Sequence, residues 1–113
     1  MSREKDWRAL ADLVSLRVRR SFSGRRPVSA SHIVYGATGI DPKHLVVWYL
    51  FATDADLKAA KLSGLQEDLA TATRRELEAE GYPAEALPLI HVGCASEEDI
   101  QRETGGDAYQ YFK

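Results

Sequence analysis

Sulfur is the scarcest resource in this sequence. A single cysteine, Cys94, stands in 113 residues, so no intramolecular disulfide framework can form and a cysteine-rich zinc site lacks its thiolates. No apolar run approaches the roughly 18 residues that a membrane-spanning helix needs, and no secretory hydrophobic segment opens the chain. These absences predict a cytoplasmic protein with no membrane partner. Low-complexity stretches and internal repeats are also missing. A chain that is 44% hydrophobic and 28% charged lies well away from disordered compositions. At this length one hydrophobic core forms and two do not, so residues 1–113 are read as a single α+β domain.

A strong net charge is lacking too, but the value of −2 conceals an uneven distribution. The first 28 residues hold eight basic residues against three acidic ones, and the remainder holds seven against fourteen. A basic arm thus joins an acidic body. Such an arm has an acidic partner at hand in its own chain or in a dimer mate, which is favoured over an external anion.

What is present is periodicity. Trp7, Leu10, Ala11, Val14 and Val18 recur at spacings of three and four, which predicts an amino-terminal helix over 1–20 capped by Ser2. Arg17, Arg19 and Arg20 fall in its last turn, where cations suit the helix dipole. The segment 21–30, SFSGRRPVSA, reads as a basic linker. Strands are expected over 32–37 and 44–51. The second, HLVVWYLF, is apolar on both alternating faces and should be central in the sheet. Thr53 caps a helical stretch over 54–80, which breaks at Ser63-Gly64-Leu65-Gln66 with a capping-box pattern. LPLIHVGC, 87–94, is expected to be the third strand, and Ser96 starts a short helix ending at Gly105-Gly106. AYQYF, 108–112, is expected to be a fourth strand. The predicted fold is α+β: a four-stranded mixed sheet of order α-β-β-α-β-α-β. Its antiparallel hairpin is followed by a helical crossover, and helices cover one or both faces.

Several apparent motifs dissolve under inspection. IVYGATGIDPK, 33–43, resembles the start of a glycine-rich phosphate loop, yet Pro42 occupies the third glycine position and a strand follows where a helix must begin. No cofactor is expected. His32, His44, His91 and Cys94 are the soft metal-ligand types, but their spacing does not bring them together, and His91 and Cys94 point to opposite strand faces. Cys94 lies close before a helix start that would favour a thiolate, while Glu97, Glu98 and Asp99 oppose it. No nucleophile-elbow motif is present, and no catalytic residue is assigned.

The residues with the strongest interface character are Trp7, Arg17, Arg20, Arg25 and Arg26 on the amino-terminal arm, and Tyr109, Tyr111 and Phe112 at the other end. Nucleic acid is not expected, because those aromatics are not interleaved with basic residues. The functional expectation is a small soluble non-catalytic interaction protein, an accessory or inhibitor/immunity-like binding module with a protein partner, that forms a homodimer. The alternative is a small enzyme or ligand-binding domain with a pocket near His91 and Cys94.

Overall fold

The computed structural model describes residues 6–112. The expected Ser2 cap lies outside them. Helix α1, Trp7–Ser21, is instead capped by Asp6, whose carboxylate accepts from the Ala9 N–H at 3.1 Å. Its apolar stripe buries Ala11, Val14 and Val18 as the spacing predicts. Ser15 is buried in the same stripe and satisfies its hydroxyl by donating to the Ala11 carbonyl at 2.7 Å.

Strands β1, Ser31–Tyr35, and β2, Val46–Phe51, form the antiparallel hairpin. The connection between them carries a 3-10 turn at Pro42–His44, so His44 belongs to the turn and not to the strand. Gly36 adopts φ +124° and lies so close to this turn that a Cβ there would fall 2.0 Å from the His44 carbonyl oxygen. That close approach is the structural reason for the first glycine of the apparent phosphate loop.

Helices α2, Asp54–Leu62, and α3, Leu65–Ala79, form the crossover to β3, His91–Ser96, which pairs parallel to β2. Thr53 caps α2 as expected, accepting from the Asp56 N–H at 3.1 Å. The predicted capping box at Ser63 does not form. Ser63 closes α2 instead, its hydroxyl reaching the Ala60 carbonyl at 3.4 Å, and Gly64 in the left-handed region turns the chain into α3 without a side-chain cap. The third strand begins later than predicted for a similar reason. The Arg74 guanidinium binds the carbonyls of Leu87 and Ile90, both at 3.0 Å, and holds the segment before His91 in turns.

Helix α4, Glu97–Thr104, is capped by Ser96, and α5, Ala108–Tyr111, follows. The predicted fourth strand is therefore a short helix, and the mixed sheet has three strands in the order β1-β2-β3. Asp107 starts α5 by accepting from the Gln110 N–H at 3.2 Å. The helical period places Ala108, Tyr111 and Phe112 together against the sheet and turns Tyr109 outward, 88% exposed. A strand would have paired Tyr109 with Tyr111.

Strand β2 is central, as its two-sided hydrophobicity predicts. Val47, Tyr49 and Phe51 join α1, α2, α3 and Cys94 in one core cluster. The Tyr49 hydroxyl and Thr73 Oγ1 lie 2.7 Å apart; with Thr73 donating to the Leu69 carbonyl at 2.7 Å, Tyr49 is the donor. Leu50, Ala95 and Ile100 form a separate cluster that includes Ile33, Trp48 and the C-terminal aromatics. Residue alternation along a strand assigns these two sets to opposite faces.

Candidate interaction surface

On the α5 side, the hairpin register sets Ile33 beside Trp48 and Trp48 beside Gly93. Gly93 is the residue that lets the indole lie flat across the sheet. A Cβ there would come within 3.0 Å of Trp48 Cζ3 and 2.9 Å of His91 Nε2. The indole contacts the exposed His91 ring with centroids 4.6 Å apart and stacks on Phe112 at 4.6 Å with planes 17° apart. Its Nε1–H donates to the Tyr35 hydroxyl at 3.0 Å, so no indole polar group is stranded.

Tyr111 anchors this aromatic layer to α4 by donating its hydroxyl to Asp99. Asp99 also accepts from Arg102, which bonds Asp54 as well, at 2.9 Å. Hydrogen bonds from Tyr111 and Arg102 hold the Asp99 carboxyl below the usual carboxylate range, and bonds from Ser96 and Arg102 do the same for Asp54. The Asp99 bond, with burial, pushes the Tyr111 hydroxyl up to about 12.

Beside this layer lies a groove of about 410 Å³, lined by His32, Ile33, Tyr35, Ala108, Tyr109 and Phe112. One of its walls is β1, an edge strand. Among the described residues no strand pairs with its outer side, and all five of its residues keep partial exposure, whereas four of the six in β2 are buried. The sequence pointed to Tyr109 and Phe112 as interface residues but not to Ile33, Tyr35 and Ala108, and offered His32 only as a metal-ligand type. For Ile33 and Tyr35, the available signal was the alternation that puts 33 and 35 on one face of the hairpin.

Four of the five amino-terminal candidates are engaged within the chain. Trp7 packs edge-on against Tyr82, centroids 4.8 Å apart. Arg17 pairs with Glu80 at 3.2 Å, and Arg25 with Asp68. Arg26 donates to the Ser23 carbonyl at 2.9 Å, and Arg20 is exposed. The basic arm thus meets carboxylates of its own molecule, Asp68 in α3 and Glu80 at its C-cap.

His91 and Cys94 do not share a site. Cys94 is buried in the core on the α1–α3 side, and that burial pushes its thiol up to about 12, the wrong direction for a nucleophile. His32 is held between Asp12 Oδ1, 2.8 Å from Nε2, and Arg19 Nη1, 3.3 Å from Nδ1. The arginine can only donate, so the Nε2 proton faces Asp12. Among the described residues no three histidine, cysteine or carboxylate side chains converge as metal ligands, and no helix is long and apolar enough to cross a membrane. Compared with protein-family models, with curated proteins and with solved structures, the chain matches none.

Proposed function

We propose that this is a small cytoplasmic, non-catalytic interaction module of accessory or inhibitor type, and that it captures an extended polypeptide along β1. The observation that carries the reading is the coincidence of an open strand edge with an apolar groove alongside it. Outward backbone groups of an edge strand supply hydrogen bonds to any extended chain, and a neighbouring apolar pocket adds side-chain selectivity. The buried, high-pKa thiol of Cys94 and its separation from His91 support this reading over the enzyme alternative.

Amide chemical-shift mapping with an end-capped peptide that alternates glutamine with valine, around one central tyrosine, tests it. Shifts are expected at Ser31–Tyr35 and at 108–112. No shift at millimolar peptide, or shifts centred on His91, would overturn the reading.

The same edge favours a second reading, the two-fold homodimer, because Ser31–Tyr35 carries no lysine, glutamate or proline to guard it against a copy of itself. Sedimentation at micromolar concentration separates the two, since the dimer has twice the 12.6 kDa chain mass.

A further inference from the structure

Resting on the reading of β1 as a docking edge, we infer that α5 is a hinged wall of the groove beside it and that Tyr111 is the residue that positions this wall. The groove has two sides. His32, Ile33 and Tyr35 come from β1, and Ala108, Tyr109 and Phe112 come from α5 and its C-cap. Pairing with β2 fixes the first side. The second is held by far less. None of the four residues in α5 is buried. Among the described residues, the one hydrogen bond from 106–112 to the rest of the chain runs from the Tyr111 hydroxyl to Asp99. Ring contacts supply the remainder, chiefly the stack of Phe112 on Trp48. A single helical turn does not sustain itself in water, so α5 is ordered only by these contacts. Behind it lie two consecutive glycines, Gly105 at φ +68° and Gly106 at φ +104°. Gly105 closes α4 by donating to the Gln101 carbonyl at 2.9 Å, and the joint begins there, with no side chain to restrain the backbone.

Tyr111 is not among the residues that line the groove, so it acts on a docked segment only through α5. Its ring packs edge-on against Phe112, centroids 4.9 Å apart. Its acceptor, Asp99, is in turn held by Arg102, which bonds Asp54 at 2.9 Å. The latch is thus anchored in the first turns of α4 and α2. With α5 in place, a side chain that enters the groove meets a wall on either side. With α5 swung away, it meets β1 alone. Backbone pairing along β1 involves no atom of α5 in either arrangement. The latch therefore sets selectivity for a large apolar side chain and leaves capture of the extended backbone untouched.

The test uses the full chain in a Trp7→Phe background, where Trp48 is the remaining tryptophan, and two end-capped peptides of equal length. One alternates glutamine with valine around a central tyrosine, and the other carries alanine at the centre. The tyrosine-centred peptide is expected to bind about tenfold more tightly. Tyr111→Phe keeps the ring and removes the hydroxyl. It should cut that advantage by about threefold and raise acrylamide quenching of Trp48 in the free protein, because Phe112 leaves the indole whenever α5 opens. Affinity for the alanine-centred peptide should stay unchanged, which also shows that the variant is folded. Tyr109→Ala alters the wall without touching the latch, and should cut the advantage with no rise in quenching. Undiminished selectivity in Tyr111→Phe, an equal loss of affinity for both peptides, or unchanged Trp48 quenching would overturn the inference while leaving β1 a docking edge. Failure of both peptides to bind would remove the docking reading and the inference with it.

Discussion

Strand β2 lives in two environments. Val47, Tyr49 and Phe51 are fully buried on one face, while Val46 and Trp48 on the other keep part of their surface exposed. The covering elements explain the difference. The first face lies beneath α1 and α3, helices of 15 residues each, whereas the second is roofed by α4 with eight and α5 with four. Long amphipathic helices close a face completely, and short ones close it in part. What remains beside the short helices is the groove. Stability is concentrated on one side of the sheet and available surface on the other, a division common to binding modules because a recognition surface must be left unfilled.

The largest expected effect tests that division directly. Phe51→Ala should lower the free energy of unfolding by about 4 kcal/mol, and Phe112→Ala by about 1 kcal/mol, because the second ring is only partly buried. Denaturant titration reads both, and equal losses would abolish the contrast. Thr73→Val should follow at about 2 kcal/mol, since it removes the oxygen to which the buried Tyr49 hydroxyl donates at 2.7 Å. Adding Tyr49→Phe should recover part of that loss in a double-mutant cycle. No recovery would mean that the hydroxyl pair does not support the helix-covered face.

On the open face, Gly93→Ala should cost about 1 kcal/mol. The new methyl presses on the Trp48 ring and the His91 side chain. Trp48 emission, recorded in a Trp7→Phe background, should shift as its stack on Phe112 is displaced; unchanged emission would show that the indole does not depend on the missing Cβ. The smallest effect is expected from acid. Asp54 and Asp99 have folded pKa values below the ordinary carboxylate value, so their contribution is complete above about pH 4 and is lost as pH falls through the lowered values. Both side chains keep part of their surface in solvent, 45% for Asp54 and 28% for Asp99, which keeps the effect slight. Hydrogen exchange should show α4 and α5 loosening first on acidification, and simultaneous loosening of α1 would erase the distinction between the faces.

Most of the helix-covered face was legible in the sequence. The stripe of Ala11, Val14 and Val18, the cap at Thr53 and the two-sided apolar run of β2 all depend on near neighbours in the chain, and each appears where its local signal places it. The open face was harder to read. AYQYF satisfies a period of two as well as a spacing of three and four, and five residues are too few to separate them. On the helix-covered side the exception is the apolar LPLI segment, which reads as strand although Arg74, many residues earlier, occupies the carbonyls of Leu87 and Ile90.

By itself, the sequence determined an α+β chain with a central apolar strand, a hairpin, a helical crossover and a basic arm beside an acidic body, because periodicity, caps and charge are local quantities. Only the tertiary structure decided that the last aromatics form a helix, that the sheet stops at three strands, and that β1 is left as an edge beside a groove. Those outcomes rest on Phe112 meeting Trp48 and Tyr111 meeting Asp99. The stacking and hydrogen-bond energies of such pairs exist only once the chain has brought them together.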